Sequence, residues 1–430
     1  MNYEQALAYI HGTLKFGSKL GLENIRNLLE YMDNPHKKLR YIHVAGTNGK
    51  GSTTAMIASI LKQAGYRVGT FISPYIERFT ERIRINDEDI PQQRLADITT
   101  NVRSIVQKMV EKGYTHPTEF EIVAAIAFQY FYEEKCDYVV LEVGLGGRFD
   151  ATNVIDTSLV SVITSISMDH MDVLGDTIEK IAFEKSGIIK EKGLVVVYPN
   201  QHPDALQVIR RVAEERNAEV TEVDYSDIHI ISAETDETIF NFKNHYGLKI
   251  HLLGKHQVLN AATAITAIEL IKKKYNIRIS EKDIKAGLRA ARWPGRFEII
   301  GRSPLFVIDG AHNESGVDVL EECLDQYFPG KNITLIAGML RDKEYSKCIK
   351  KIAPKASLFI ATCPLSERAA KAEEIGNIAK KYCNRVIIKE DFHEAVKAGL
   401  ELTKEDDVVC CFGSLYLIGA VRKIFTEVSK

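Results

Sequence analysis

The sequence predicts an α/β fold in which a mostly parallel sheet with helices on both faces is followed by a smaller α/β domain. Short apolar, β-branched runs alternate with helical patterns from residue 41 onward, as they do in chains of βαβ units. The chain has 430 residues, 45% of them hydrophobic, which is more than one hydrophobic core usually serves. We therefore predict two domains.

The first domain is predicted from a regular alternation of strands and helices. The predicted strands lie near 41–45, 67–72, 137–142, 158–164 and 194–198, and the predicted helices near 52–64, 92–111, 118–133 and 177–190. Between residues 219 and 252, apolar and polar residues alternate. This pattern is typical of half-buried strands, and we expect antiparallel hairpins attached to the same domain.

A second set of strands predicts a smaller, Rossmann-like α/β domain at the C-terminal end. These strands are expected at 305–308, 333–337, 358–360, 386–388 and 408–412. Proline and glycine within residues 292–296 interrupt the patterns on both sides. We therefore place the two domains at residues 1–296 and 297–430.

Composition excludes several classes of function. A formal net charge of −2 gives no general attraction for nucleic acid or an anionic membrane. No apolar run approaches the roughly 20 residues that a membrane-spanning helix needs, and we see no secretion signal. The seven cysteines are odd in number and lack metal-type spacing. We expect a cytoplasmic protein with reduced thiols, without nucleic-acid or membrane partners.

The most informative segment is Gly-Thr-Asn-Gly-Lys-Gly-Ser at residues 46–52, between a predicted strand and a predicted helix. Glycines let a polyphosphate approach the backbone, the helix N-terminus favours negative charge, and Lys50 can reach terminal phosphates. This P-loop-type turn departs from the strict pattern, because Val44 replaces a glycine and Gly51 separates Lys50 from Ser52. The alternative is an ordinary glycine-rich turn with a solvated lysine.

Acidic residues follow two other predicted strands. Glu142 ends one strand, and Asp169 and His170 follow the next, so they should meet at the rim where ligands bind to parallel sheets. A carboxylate there can hold Mg²⁺ against phosphates. Because Mg²⁺ prefers oxygen ligands, the residue types favour Asp169 over His170. Structural or solvated roles for these side chains remain the alternative.

Lys185 stands at an unusual position, within an apolar helical stripe that contains Ile181 and Ile188. A lysine that snorkels to water would explain this position. A buried lysine would instead have a lowered pKa and a nucleophilic amine. Such an amine can react with CO₂ to give a carbamate, whose oxygens could bind a metal.

Three further segments contain polar groups beside predicted strands or helices. The spacing of Thr118 and Glu121 fits a capping box, which explains it without any substrate. Residues 309–313 bring an acid and an imidazole to a strand end, and Ser414 follows the last strand. Together with Arg296, these groups would face the phosphate turn if a ligand cleft lies between the domains.

Seven segments, in order and over nearly the whole chain, resemble the folylpolyglutamate synthase/dihydrofolate synthase family. They are residues 46–52, 73–84, 142–153, 169–175, 184–187, 292–296 and 309–313. This family belongs to the ATP-dependent amide-bond ligases that include the Mur peptidoglycan enzymes. The resemblance implies the α/β fold predicted above.

The resemblance also implies roles for individual residues. Those expected to contact ATP are Thr47, Asn48, Gly49, Lys50, Gly51, Ser52, Asn260, Arg296 and Asp309. Magnesium is expected at two sites, with ligands from Ser73, Glu142, His170 and, as a carbamate, Lys185. The family thus favours His170 where the residue types favoured Asp169. The expected substrate contacts are Leu20, Gly21, Leu22, Thr118, Glu119, Phe120, Glu121, Phe149, Asp150, Ala151, His312 and Ser414. Lys50, Lys185, His170 and Arg296 are the expected catalytic residues.

The implied reaction joins L-glutamate to dihydropteroate or a folate through an acyl phosphate made with ATP. We expect a monomer. Another Mur-type ligase is the nearest competing interpretation, but those enzymes carry a nucleotide-sugar-binding domain ahead of the phosphate turn, and Gly46 stands too near the start for one. The residues also leave open an ATP-hydrolysing switch or transport ATPase, and a silent binding module.

Overall fold

A computed structural model describes residues 1–17 and 21–428, and within these ranges the strands form three sheets. The strands of the first sheet are β1 (Tyr41–Ala45), β2 (Val68–Phe71), β3 (Ile83–Ile85), β4 (Glu88–Asp89), β5 (Tyr138–Glu142), β6 (Val160–Ile163), β7 (Leu194–Val197) and β8 (Glu219–Glu222). Their order is β4-β3-β2-β5-β1-β6-β7-β8. All neighbours pair in parallel except β2 with β3 and β3 with β4.

Two smaller sheets follow in the chain. The antiparallel one contains β9 (Ile228–Ala233), β10 (Thr238–Phe242) and β11 (His245–Ile250). The other contains β12 (Glu298–Arg302), β13 (Leu305–Asp309), β14 (Ile333–Gly338), β15 (Ala356–Ala361), β16 (Val386–Ile388) and β17 (Val408–Gly413). Its order is β12-β13-β17-β14-β15-β16, and only β12 pairs antiparallel with its neighbour.

Helices connect most of these strands. They are α1 (Tyr3–Gly12), α2 (Glu23–Tyr31), α3 (Lys50–Gln63), α4 (Gln92–Glu111), α5 (Glu119–Glu133), α6 (Met171–Leu174), α7 (Ile178–Ser186), α8 (Pro203–Glu215), α9 (Lys255–Tyr275), α10 (Glu281–Ala290), α11 (Glu314–Tyr327), α12 (Tyr345–Ile352), α13 (Ala372–Ala379), α14 (Phe392–Leu402) and α15 (Leu415–Val428). Short 3₁₀ turns lie at Leu14–Phe16, Pro35–Lys38, Phe79–Arg82, Ala151–Val154, Tyr225–Asp227 and Ala353–Lys355.

The fold class predicted from the sequence is confirmed, with one correction in the expected hairpin region. Residues 219–222 form β8, which pairs in parallel with β7 at the edge of the first sheet. Helix α8 carries the chain from the end of β7 back to the side of the sheet where β7 begins. β8 therefore runs in the same direction as β7. Only residues 228–250 form the antiparallel strands.

Each face of the first sheet is covered by a hydrophobic core. Ile42, Val44 and Val140 pack with apolar residues of α3, α9 and α10, whereas Tyr41 and Val139 pack with α1, α2, α4 and α5 on the opposite face. This alternation follows from the two-residue period of a strand. Because helices cover both faces, the exposed rim of the sheet is where its strands end.

Within residues 1–17 and 21–428, no helix is both long enough and apolar enough to cross a bilayer.

The contact between α3 and α10 depends on a glycine. A Cβ atom on Gly287 would lie 2.4 Å from Cα of Ile60, and Oγ of Ser59 donates a hydrogen bond of 2.7 Å to the Gly287 carbonyl. The two helix backbones therefore approach closely, and α3 is the helix that begins at the phosphate turn.

We predict that Gly287→Ala destabilises the protein by about 1 to 3 kcal/mol, because the added methyl group must push α3 and α10 apart. Helix propensity alone would change stability in the opposite direction, since alanine is favoured over glycine in helices. Urea denaturation measures the effect. Gly12→Ala is the matched control, because a Cβ there meets nothing within 4 Å. Equal stability of the two variants would contradict the prediction.

Candidate active site

The turn between β1 and α3 leaves backbone amides available to an anion. Gly49 precedes α3 with φ of 85°, and no side chain caps the helix start, so the first amides of α3 have no partner within the helix. A Cβ on Gly49 would lie 2.4 Å from Oδ1 of Asn260. Glycine is required here both by the left-handed backbone and by this close approach.

Two lysines converge on one carbonyl oxygen at this turn. Nζ of Lys185 donates to the Gly46 carbonyl at 2.8 Å, and Nζ of Lys50 donates to the same oxygen at 3.1 Å and to the Thr47 carbonyl at 3.1 Å. Burial lowers the pKa of both lysines, that of Lys185 to about 7. The site therefore concentrates positive charge where little water is available to stabilise it.

Lys185 is buried, with 4% of its surface exposed. It lies in the last turn of α7, beside the buried residues Ile181 and Ala182. The side chain thus points into the protein and does not snorkel to solvent. In the described part of the chain, no carboxylate oxygen lies within 4 Å of its ammonium group. The helix ends at Ser186 and not at residue 190 as the sequence predicted, and Gly187, which follows it, packs directly against the backbone of Arg148.

Glu142 is the nearest strand-end acid and is 4% exposed. One carboxylate oxygen accepts a long hydrogen bond of 3.4 Å from the Ser73 amide. Burial raises the pKa of Glu142 to about 7, although Lys50 and Arg296 act in the opposite direction. A buried carboxylate with so weak a partner can accept a cation, and its oxygen donors suit Mg²⁺.

Asp169 and His170 lie on the same rim but are held by another lysine. Nζ of Lys343 contacts Oδ1 of Asp169 at 2.8 Å and Nε2 of His170 at 2.9 Å. The Lys343 ammonium helps to hold the pKa of Asp169 well below its usual value, against the effect of burial. Burial lowers the pKa of His170, so the imidazole accepts this hydrogen bond. Among the described residues, no group of three or more His, Cys, Asp or Glu side chains has the arrangement of a metal site.

Residues of the six-stranded sheet complete the phosphate turn from the other side. Nδ2 of Asn48 donates to Oγ of Ser315 at 2.7 Å, and Nδ2 of Asn313 donates to Asp169 at 3.1 Å. Oγ atoms of Ser167 and Ser315 lie 2.8 Å apart. Sequence reasoning did not single out Ser315 or Lys343. Their only signal is that each follows a strand of the six-stranded sheet, at the end where ligands bind to parallel strands.

A cavity of about 370 Å³ lies between the first sheet and the six-stranded sheet. Its lining includes Thr47, Asn48, Gly49, Lys50, Gly51, Ser52, Ser73, Glu142, His170, Lys185, Asn260, Arg296, Asp309 and His312. All the residues expected at ATP and at magnesium therefore lie around one space. Its volume falls within the range of small-molecule sites.

Asp309 and His312, which line this cavity, have hydrogen-bond partners within the protein, whereas one atom of Asn260 does not. Asp309 accepts hydrogen bonds of 2.7 Å from the amides of Phe297 and Ala311, while burial raises its pKa. Nδ1 of His312 donates to the Gly310 carbonyl at 2.7 Å, and burial lowers the pKa of this imidazole to about 4. Oδ1 of Asn260 is buried without a hydrogen-bond partner, which leaves an acceptor for a ligand.

A second cavity of about 310 Å³ adjoins the first. Its lining includes Gly21, Thr118, Glu119, Phe120, Glu121, Phe149, Asp150 and Ala151, which are residues expected at the pterin-bearing substrate. The ring of Phe149 is 37% exposed, and the Arg148 guanidinium lies 4.3 Å from its centre. An exposed aromatic ring in a cavity is suited to stacking with a flat ligand.

Two expected substrate residues, Leu22 and Ser414, do not line the second cavity. Leu20 lies outside the described residues. Leu22 precedes α2 and packs against the hydrophobic core on that face. Ser414 is 3% exposed and its Oγ accepts a hydrogen bond of 3.2 Å from the Tyr416 amide. The capping box of Thr118 and Glu121 is confirmed, so the Glu121 carboxylate is engaged with its own helix.

The two cavities share a wall. Ser73, Pro74 and residues 144–146 line both of them. A ligand in the second cavity can therefore direct one end towards the phosphate turn. The arrangement suits a reaction between two bound molecules.

Comparisons with known proteins agree with this geometry. The Mur ligase middle domain matches residues 44–268, and the Mur ligase glutamate ligase domain matches residues 295–415. The dihydrofolate synthase/folylpolyglutamate synthase of Bacillus subtilis is 41% identical, with 98% of each chain covered.

Solved structures give the same result. The folylpolyglutamate synthase of Thermotoga maritima is 35% identical, with a TM-score of 0.86 over 99% of this chain and 97% of that one. A solved FPGS–AMPPCP–folate complex is 34% identical, with a TM-score of 0.85 over 99% of each chain. The chain belongs to the folylpolyglutamate synthase/dihydrofolate synthase family of the Mur ligases, which are ATP-dependent enzymes.

Proposed function

We propose that this protein joins L-glutamate to the carboxylate of dihydropteroate or a folate and uses ATP to activate that carboxylate. The observation that carries the proposal is the wall shared by the two cavities, formed by Ser73, Pro74 and residues 144–146. ATP in the first cavity and the acceptor in the second then lie against the same residues, so that the γ-phosphate and the acceptor carboxylate can meet where the two cavities adjoin.

The reaction follows from this placement. A carboxylate oxygen attacks the γ-phosphorus of ATP, the bond from that phosphorus to the bridging oxygen breaks, and ADP leaves. The amine of glutamate then attacks the carbonyl carbon of the acyl phosphate. The carbon–oxygen bond breaks, phosphate leaves, and the new amide nitrogen loses a proton to solvent.

The residues of the chain contribute position and charge. Lys50 and the first amides of α3 face the phosphates, and Arg296 brings a second positive charge from the other side of the cavity. Preorganised positive groups of this kind stabilise the charge that develops during phosphoryl transfer. The acceptor, which carries the nucleophile, needs no covalent attachment to the enzyme, so proximity supplies much of the remaining rate.

We also propose that Mg²⁺ is held by Ser73, Glu142 and His170. The support is the buried Glu142 carboxylate with its long hydrogen bond. The cation would neutralise phosphate charge. Nε2 of His170 can bind the cation only when Lys343 withdraws from it.

We further propose that Lys185 is carbamylated and provides oxygens for a second Mg²⁺. Its burial and its pKa of about 7 favour the neutral amine that reacts with CO₂. A carbamate nitrogen retains one hydrogen, so the hydrogen bond to the Gly46 carbonyl can persist after modification.

We also propose a site for glutamate, a domain boundary, a cellular location and an oligomeric state. His312 and Ser414 are our candidates for the incoming glutamate, and we place the domain boundary between residues 296 and 297, just before β12. A cytoplasmic location is supported by seven cysteines that are all free thiols. We propose a monomer.

Release of ADP by the purified protein tests the proposed function. The reactions contain Mg-ATP and L-glutamate with dihydropteroate, with tetrahydrofolate, or with no acceptor. We expect one or both acceptors to stimulate ADP release and to gain one glutamyl unit by mass, which also shows whether the enzyme is monofunctional or bifunctional. ADP release that is independent of any acceptor would instead indicate an ATP-hydrolysing switch or transport ATPase.

We predict that Lys50→Ala lowers turnover by roughly 10²- to 10³-fold, the usual cost of losing one charge-stabilising group. Acceptor-dependent ADP release measures the loss, and circular dichroism checks the fold. Lys62→Ala is the matched control on the same helix, because Lys62 is exposed and pairs with exposed Asp87. Near-normal turnover of Lys50→Ala would remove Lys50 from the phosphate site.

We predict that Lys185→Ala is nearly inactive and regains activity when a short carboxylic acid is supplied, because the acid replaces the carbamate oxygens. Intact-protein mass spectrometry in bicarbonate should show one carbamate on the native chain. Lys180→Ala is the matched control on α7, since Lys180 is exposed and pairs with Asp176. Full activity of Lys185→Ala, or its failure to respond to any short acid, would contradict the carbamate.

A further inference from the structure

The segment of residues 73–82, here called the wall loop, follows β2 and includes the short 3₁₀ turn that precedes β3. It begins with Ser73 and Pro74, which line both cavities, and ends with Arg82, which lines the second. The position of this loop therefore affects both binding spaces at once. What holds the loop in place is distinct from the residues that face the ligands.

The loop is ordered internally by a buried acid. Glu81 is 6% exposed and accepts hydrogen bonds from the amides of Ile76, Glu77 and Arg78 at 2.9, 3.3 and 3.1 Å. One carboxylate thus gathers three consecutive amides, which fixes the bend of the loop. Arg78 and Thr80 also bond the Asp89 carboxylate on β4, so the far end of the loop is held to the first sheet.

The outer side of the loop packs against α15, the last helix of the six-stranded sheet. A Cβ on Gly419 would lie 2.1 Å from the Ile76 carbonyl oxygen, and a Cβ on Gly295 would lie 2.7 Å from Ile418. Loop, last helix and the segment before β12 are therefore in direct contact. Glycine at these positions permits an approach that a side chain would prevent.

An ion cluster lies at the edge of this contact. Nε of Arg422, on α15, lies 3.1 Å from both carboxylate oxygens of Glu298, and its Nη1 bonds the Glu77 carboxylate of the wall loop. Glu298 also accepts a hydrogen bond of 2.7 Å from the Gly295 amide, next to Arg296. The side chains of Arg422 and Glu77 are only 23% and 13% exposed.

The cluster also adjoins the phosphate turn. Trp293, Pro294 and Arg422 line a small cavity of about 180 Å³ together with the wall loop. The indole of Trp293 packs on Gly51, where a Cβ atom would lie 2.3 Å from the ring. Arg422 thus lies where the wall loop, the last helix and the segment that packs on the phosphate turn meet.

We propose that Arg422 is a positioning residue that clamps the wall loop to the last helix and so sets the boundary between the two cavities. One guanidinium can bond two carboxylates at once, and without it Glu77 and Glu298 are left as neighbouring negative charges. The loop would then separate from α15 and carry Ser73 and Pro74 out of place. Arg422 would affect the reaction without touching either substrate, and this inference rests on the proposed function.

Kinetics of Arg422→Met test the clamp. We expect kcat/KM to fall at least tenfold for both ATP and the folate acceptor, with the KM values rising, because both cavities lose the same wall. Arg422→Lys should restore only part of the activity, since an ammonium group lacks the planar fork. Glu77→Gln should impair activity less, and adding it to Arg422→Met should cause little further loss, because the pair acts as a unit.

Arg210→Met is the matched control. Nε and Nη2 of Arg210 also bond one carboxylate, that of Glu222 at 2.7 and 2.9 Å, but on the exposed surface of α8 and β8. We expect this variant to retain native kinetics. A loss equal to that of Arg422→Met would show that removing any ion-paired arginine has this effect, and would overturn the clamp.

Trp293, the one tryptophan of the chain, provides a reading that does not depend on activity. In Arg422→Met we expect emission at longer wavelength and stronger acrylamide quenching, with unchanged circular dichroism. Native Trp293 fluorescence together with native kcat/KM would overturn the proposal. If Arg422→Met does not fold, Glu77→Gln is measured in the same two ways. If the native protein lacks acceptor-dependent ADP release, the proposed function fails, and the Trp293 signal alone decides whether the clamp exists.

Discussion

The rest of the site depends on two buried lysines that share the carbonyl oxygen of Gly46. Burial removes the water that would stabilise two like charges, and so it lowers the pKa of both lysines, that of Lys185 to about 7. Such a site favours the binding of a polyanion. It also favours the conversion of a lysine amine into an anionic group. In the proposed reaction, the phosphates of ATP would meet the first demand, and a carbamate on Lys185 would meet the second. Glu142, the nearby acid, offsets little of this charge because its own pKa is raised to about 7.

The fold produces this concentration of charge by bringing strand ends together. β1 lies between β5 and β6, so the phosphate turn, Glu142 and Asp169 meet at one rim. The six-stranded sheet then supplies Asn313, Ser315 and Lys343 from across the cavity. The first cavity is therefore lined by both parts of the chain, whereas the second is lined by residues between 21 and 184.

Local pattern was sufficient to predict much of this arrangement. The phosphate turn, the strand-end position of Glu142 and the capping box at Thr118 each depend on neighbouring residues only, and the sequence indicated all three. The sequence predicted that Lys185 lies on an apolar stripe, but it did not predict burial, because such a stripe is compatible with both a buried and a snorkelling lysine. β8 was assigned to a hairpin because a short alternating strand at a sheet edge has no pattern that distinguishes parallel from antiparallel pairing.

Contacts between distant segments could not be read from the sequence. Asn48 and Asn313 form a hydrogen bond although they are 265 residues apart. The partners of Lys343 depend on how the six-stranded sheet lies against the first sheet. The proposed reaction requires the second cavity to deliver an acceptor carboxylate to the γ-phosphate. An acceptor labelled with heavy oxygen in that carboxylate tests this requirement directly. We expect each turnover to transfer one labelled oxygen to the released phosphate. Unlabelled phosphate alongside glutamylated product would exclude an acyl phosphate.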